Sequence, residues 1–193
     1  MNCDSIARWY RWLEYAAFGS ALRKRREAFL FELGNPQKVL VLGDGDGRFL
    51  HLFTALYPNA RVDVVDVSAR MIELAKTRVP SATFHLADAR EFPFEQNYDL
   101  AVAHFFFDCF ETAELHALLP RIPTNTWLVS EFRNKRWSWL IIRGLYFFFR
   151  LTTGLRVTSL PDHRAVLSGL GYRIEKEQSG LAGLVVSELW MRV

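Results

Sequence analysis

The sequence predicts an α/β domain whose mainly parallel sheet is covered by helices on both faces. Three observations carry that expectation. From residue 39 onward, short apolar or β-branched runs alternate with segments of helical period. The first of these runs enters a turn with glycine at positions 43, 45 and 47, at the point where such sheets hold ligands. No internal repeat, low-complexity tract or flexible linker interrupts the pattern, and 193 residues suit one domain that buries about 70 % of its unfolded surface.

Taken in order, residues 5–33 read as helix, with Trp9, Trp12, Leu13, Ala16 and Ala17 at helical spacings and a break near Gly19-Ser20. Gly34-Asn35-Pro36 stops it. Val39 to Leu42 is the first strand, Gly43 to Gly47 the turn, and Arg48 to Tyr57 a helix. Arg61 to Val67 is a β-branched second strand, after which Ser68 caps the helix Ala69 to Arg78 with Met71, Ile72 and Ala75 facing inward. Ala82 to Leu86 is a third strand, and the apolar run from Tyr98 into HFFF a fourth. A helix from Thr112 to Leu119 and a fifth strand from Thr126 to Phe132 follow. Pro161-Asp162 opens a last helix ending at Gly169 to Gly171, and Tyr172 to Gln178 and Leu184 to Met191 are two strands joined through Ser179-Gly180.

Charge is segregated along the chain behind a net value of +3. Residues 1–38 carry +3, residues 39–114 carry −6, and residues 115–193 carry +6. An acidic centre between basic flanks argues against a plain nucleic-acid binder, whose basic stripe runs through its recognition element. Sixteen phenylalanines and six tryptophans point to something apolar that is bound or covered. Cys3 and Cys109 are too few for a disulfide framework or a cysteine-rich zinc site and suit a reducing compartment, so a cytoplasmic location is expected. Asp4, Arg8, Arg11 and Glu14 stand where a signal peptide needs an apolar run, and no stretch approaches the roughly 18 apolar residues of a spanning helix. A soluble or membrane-peripheral protein is expected. No pair of His or acidic residues shows a ligand spacing, so no metal site is expected.

The turn after the first strand carries the functional argument. Alternate glycines allow positive φ and close backbone approach, and the helix that follows points free N–H groups into the same crevice. A dinucleotide fingerprint beginning at Gly43 requires glycine at 48, where Arg48 stands. Asp44 and Asp46 inside the loop repel a diphosphate and tolerate a cation, such as a sulfonium with a free amino group. The ligand implied is S-adenosylmethionine. Asp66 ends the second strand, nineteen residues after Gly47, where a carboxylate accepts bonds from both ribose hydroxyls. Asp88, in LADAR, ends the third strand, within reach of an adenine amino group.

On these residues the chain resembles the class I S-adenosylmethionine-dependent methyltransferases of small-molecule type over most of residues 36–132, and more loosely through the two C-terminal strands. The resemblance implies a Rossmann-like, doubly wound, mainly parallel seven-stranded sheet with an antiparallel C-terminal strand and helical cap segments. It implies that Gly43, Asp44, Gly45, Gly47, Asp66, Val67, Asp88 and Ala89 hold the cofactor. Family members commonly carry an acid two residues before the first loop glycine; here that position is Val41, and Asp44 or Asp46 is left to meet the methionine amino group. The expected organisation is one domain: an N-terminal helical cap (1–35), a cofactor-binding core (36–132), a helical cap insert (133–160), and a C-terminal helix and strand pair (161–193).

Methyl transfer needs alignment, a dry site and a destination for a proton. His104 and Asp108, at the end of the fourth strand, are the expected catalytic residues, as general bases of short reach. Glu131, Arg133 and His163 are further options. Tyr10, Tyr15, Phe105, Arg133 and Tyr146 are the expected acceptor contacts, since the aromatic flanks would cap the acceptor. Arg136, Arg143 and Arg150, spaced by seven, form one cationic stripe on the insert helix. That helix is either a lid whose arginines grip an anionic substrate or an interfacial helix on acidic lipid. The acceptor expected is small and hydrophobic or aromatic, like a quinone, lipid or polyketide. Two rivals stand beside this reading: a non-catalytic nucleotide-binding or membrane-docking module of the same fold, and an NAD-dependent oxidoreductase, which Arg48 opposes.

Overall fold

A computed structural model describes residues 4, 7, 10–134, 139–155 and 157–193. Strands β1 (Lys38–Leu42), β2 (Arg61–Asp66), β3 (Thr83–Leu86), β4 (Leu100–His104), β5 (Thr126–Phe132), β6 (Tyr172–Gly180) and β7 (Val185–Arg192) form one sheet in the order β3-β2-β1-β4-β5-β7-β6. β7 runs antiparallel to both neighbours, and every other pairing is parallel. Helices α1 (Tyr10–Phe18) and α2 (Ala21–Arg26) precede the sheet, and α3 (Arg48–Leu56), α4 (Ala69–Arg78) and α5 (Thr112–Leu118) follow β1, β2 and β4. α6 (Trp139–Thr153) and α7 (His163–Gly169) lie between β5 and β6.

The central strands read as unbroken apolar runs because both their faces are covered. Leu40, Ala101 and Trp127 point to the side of α5 and α7, while the alternating Val39, Leu100 and Leu128 pack with Phe49 and Phe53 of α3. α2 is tied to the same face as α3: the buried hydroxyls of Ser130 and Ser187 both donate to the carbonyl of Arg25, at 3.0 and 2.7 Å. Local signals set the helix ends. Ser68 accepts the Met71 N–H at the start of α4, and Asp162 accepts the Ala165 N–H at the start of α7. The chain steps outward from β1 to β3 and returns to β4 on the other side of β1, so the glycine turn opens over the crevice where the strand order reverses.

One boundary differs from the sequence reading. β6 continues through Ser179 and Gly180, which pair with Val186 and Val185, and the hairpin turns instead at Leu181 and Ala182, both at φ 50. An edge strand faces water, so no core selects against Ser and Gly there.

Candidate active site

Two cavities adjoin above the carboxyl ends of the strands. The first, of ≈ 120 Å³, is polar and lies against the glycine turn and the ends of β2 and β4; the second, of ≈ 230 Å³, is apolar and lies under α1, α2 and α6. Phe105 and Cys109 line both. Phe105 sits at φ 53, an unusual backbone for an aromatic residue, with the Arg26 guanidinium 5.0 Å over its ring. It forms the partition.

Of the expected cofactor residues, Gly43, Asp44, Gly45, Asp66, Val67, Asp88 and Ala89 line the polar cavity. Gly47 does not: a Cβ there would meet the Ala75 backbone at 2.7 Å, so this glycine lets α3 approach α4. Gly45 differs, because at φ 65 its Cβ position meets no atom within 4 Å. The two therefore separate experimentally. Gly47→Ala should lower stability by about 1 to 3 kcal/mol, whereas Gly45→Ala should cost less stability and weaken ligand binding at the turn. Thermal melts and calorimetry on both variants check this.

The loop acids have unequal surroundings. Asp46 is held by Arg48 at 2.8 Å and Arg78 at 3.3 Å, while Asp44 accepts the Leu50 N–H, at 3.3 Å, and no other hydrogen bond among the described residues. Burial pushes Asp44 up to about 7. It pushes Asp66 up to about 6 against the N–H bonds from Ser68, Gly45 and Val67. Asp88 lies two residues beyond β3, bonded to Arg90, which holds it below the ordinary carboxylate range. Val41 is buried on the α3 side and offers nothing to the cavity.

Raised carboxyls have a stability consequence. Between the ordinary value of 3.8 and about 7, the folded chain holds more protons at Asp44 than the unfolded chain. This group's contribution to stability therefore falls as pH rises through that window. Melting from about pH 5 to about pH 8 should show a smaller decline for Asp44→Asn than for the wild type. Affinity for a cation should move the opposite way, strengthening with pH as Asp44 ionises.

The expected catalytic residues divide between the cavities. His104 lines the polar one, buried, edge-on to Phe49 at 4.5 Å, with no hydrogen-bond partner among the described residues at either ring nitrogen. Burial and the charge of Arg26 lower its pKa well below the usual imidazole value, so the ring is neutral. Asp108 lines the apolar cavity, and burial pushes it to about 6. Its backbone carbonyl accepts the Tyr146 hydroxyl at 3.1 Å. Behind it, Glu131 accepts the N–H groups of Phe106 and Phe107 at 3.0 and 2.7 Å, pinning the loop that carries Asp108. Burial and the neighbouring Asp108 push Glu131 well above the carboxylate range, so Glu131 keeps its proton longest.

Of the expected acceptor contacts, Phe105 and Tyr146 line the apolar cavity. Tyr15 is 62 % exposed and lines neither cavity, because it projects from the outer side of α1. Arg133 bonds Glu177 at 2.8 Å and lies 3.6 Å from Glu188, within a cluster around that buried carboxylate. His163, Arg164 and the Trp190 indole N–H bind Glu188 too, which makes His163 part of the frame. The side chain of Tyr10 and all of Arg136 lie outside the described residues. Arg143 and Arg150 are exposed on α6 and reach neither cavity, which removes the reading of them as a substrate grip.

Two residues absent from the expected set join the cap to the site. Arg26 makes a bidentate pair with Glu14 at 2.7 Å in both contacts; Arg26 lines the polar cavity and Glu14 the apolar one. In the run Arg23-Lys24-Arg25-Arg26, only the docking of α2 decides which arginine faces a cavity.

Residues 39–124 match a family model described as a methyltransferase domain. The matched segment runs from β1 through α5 and includes the glycine turn. Over that segment, under half of the chain, the protein is similar to the methyltransferase domain family. The chain is 32 % identical over 103 residues to a malonyl-[acyl-carrier protein] O-methyltransferase of Priestia megaterium, an alignment covering 50 % of this chain and 37 % of that protein. It is 33 % identical over 86 residues to a demethylmenaquinone methyltransferase of Thermotoga maritima, covering 44 % and 37 %. The alignments thus span under two fifths of these relatives. Among solved structures, the chain superposes on the 1,6-didemethyltoxoflavin-N1-methyltransferase of Burkholderia thailandensis with a TM-score of 0.66 at 17 % identity, covering 98 % of this chain and 84 % of that one. An N-methyltransferase of Bradyrhizobium japonicum gives 0.63 at 15 % identity, covering 89 % and 96 %.

Proposed function

We propose that the protein transfers a methyl group from S-adenosylmethionine to a small hydrophobic or aromatic acceptor. The observation that carries this is the pair of cavities meeting at Phe105: one polar and acidic at the glycine turn, the other apolar and closed over by the cap helices. The residues of the polar cavity fit the cofactor. Gly45 leaves open space at a positive φ, Val67 and Ala89 supply apolar walls for a base, and Asp44 and Asp66 are carboxyls whose raised pKa values a bound cation would bring down. Asp44 would hold the methionine ammonium, Asp66 the ribose hydroxyls, and Asp88 with Ala89 the adenine edge. A diphosphate is disfavoured by the same acids, which weighs against a nicotinamide cofactor.

When bound, the cofactor supplies an electrophilic methyl group on a sulfonium. The chain's part is alignment and proton management. Phe105 and Phe132 position a flat acceptor, and the surrounding Phe18, Ile142, Phe148 and Phe149 exclude water. Asp108, near 6, is ionised at neutral pH and takes the proton of an acceptor hydroxyl or acidic carbon. His104, neutral and on the cofactor side, donates or accepts one hydrogen bond at the transferring end.

The relatives' names span malonyl-[acyl-carrier protein], demethylmenaquinone and, in Methylobacterium radiotolerans, trans-aconitate. An apolar wall with Glu14 and Asp108 as its acids suits a quinol or phenol and repels a polycarboxylate. Calorimetry with S-adenosylmethionine, then transfer of a labelled methyl group to a panel of hydroquinones, phenols and carboxylates, tests the reading. Binding followed by transfer to the aromatic members is expected. Binding with no transfer would favour a non-catalytic module, and no binding at millimolar ligand would end the cofactor assignment.

A further inference from the structure

α6 has a second face that the active site does not use. Its inner side, with Ile142, Tyr146 and Phe149, walls the apolar cavity. Of its fifteen residues only Ile142 is buried. Leu140, Phe147 and Leu151, spaced to share one stripe, are 64 %, 65 % and 70 % exposed. So apolar a row facing water is unusual on a covered domain.

The residues flanking the row say what it meets. Arg143 and Arg150, seven apart, run beside it, and the helix contains no acidic residue. Among the described residues neither arginine has a carboxylate partner; Arg143 instead lies 5.5 Å from the ring of Trp139, at the start of the helix. An apolar stripe bordered by unpaired arginines and an exposed tryptophan matches the boundary of an anionic bilayer, where apolar groups enter the acyl region and guanidinium groups stay at the phosphates. The helix is too short to cross: among the described residues no helix is long and apolar enough to span a membrane.

We infer that α6 docks the protein on the surface of an anionic membrane, through Leu140, Phe147 and Leu151 with Arg143 and Arg150, so that an apolar acceptor passes from the bilayer to the cavity behind the same helix. The delivery step rests on the proposed function; the docking does not. The apolar stripe adds reversible burial in the acyl boundary, and each arginine near the surface contributes a factor of about five to partitioning.

Co-sedimentation of the full chain with phosphatidylcholine vesicles, with and without phosphatidylglycerol, tests the docking. Retention by the mixed vesicles alone, weakened by salt, is expected. The double variant Arg143→Glu, Arg150→Glu should lower partitioning at least about twentyfold. The variant Leu140→Ser, Phe147→Ser, Leu151→Ser should abolish it, with melting temperature and S-adenosylmethionine affinity unchanged because these side chains face away from both cavities. Absence of retention, or equal retention of the variants, overturns the proposal. So does a wild-type dimer in sedimentation velocity that Phe147→Ser converts to monomer, or capture by an acidic carrier protein but not by vesicles. Calorimetry on the same sample reads the cofactor assignment separately, so either reading can fail alone.

Discussion

Replacing Asp66 with alanine should weaken S-adenosylmethionine binding by about 1.5 to 3 kcal/mol, roughly ten- to a hundredfold, the worth of hydrogen bonds to a charged group. The carboxylate stands at the end of β2, accepts N–H bonds from Ser68, Gly45 and Val67, and lines the polar cavity. Burial raises its pKa to about 6 against those bonds, and hydrogen bonds from a ligand would favour the ionised form further. Asp66→Asn keeps the shape and one acceptor oxygen, and should lose less. Titration calorimetry above about pH 7, where the group is ionised, is the measurement. An unchanged dissociation constant in the alanine variant would place the ribose elsewhere.

Asp108→Asn should lower kcat by about a hundredfold or more, the usual contribution of a positioned base, and leave cofactor affinity unchanged. Asp108 lines the acceptor cavity and not the cofactor cavity, which is why binding and turnover should separate. The sign of the pH effect follows from its protonation. A base pushed to about 6 is active when ionised, so wild-type kcat/KM should fall as pH drops through about 6 and level off above it. The Asn variant should lack that limb. A variant whose activity is lost together with cofactor binding would show Asp108 to be structural, and an unaltered limb would assign the proton to another group. Glu131 fixes the same loop through two backbone N–H groups, so Glu131→Gln, which preserves one acceptor oxygen, should retain more activity than Glu131→Ala.

The element order, the first five strands and the place of the glycine turn at the end of β1 were legible in the sequence. Strand runs such as Leu100 to Ala103 are apolar because both faces are covered, and the glycine turn is conspicuous because positive φ at alternate positions restricts residue choice. Asp66 and Asp88 could be placed because strand ends in a parallel sheet point to one edge. Gly47 looked the same as Gly45 in sequence. Only the approach of Ala75 separates the packing glycine at 47 from the one at 45 that borders open space.

The acceptor half was much less legible. Tyr15 and Arg133 are residue types that suit an aromatic acceptor, but one projects to solvent and the other joins the cluster on Glu188. Glu14 and Arg26, which link the cap to both cavities, lie on helices separated by the break at Gly19, so no helical spacing relates them.

By itself, the sequence determined a doubly wound sheet, a glycine turn that favours a cation over a diphosphate, and a polarity split between acidic centre and basic, aromatic flanks. These follow from periodicity, backbone freedom and charge, which are local properties of a chain. The tertiary structure alone decided which arginine faces the polar cavity, which aromatic residues wall the apolar one, and that the stripe of Arg143 and Arg150 faces outward rather than into either cavity. Those outcomes depend on the rotation at which each cap helix docks. That angle is set by contacts far apart in sequence, such as the Ser130 and Ser187 hydroxyls on the Arg25 carbonyl, and not by the pattern within the helix.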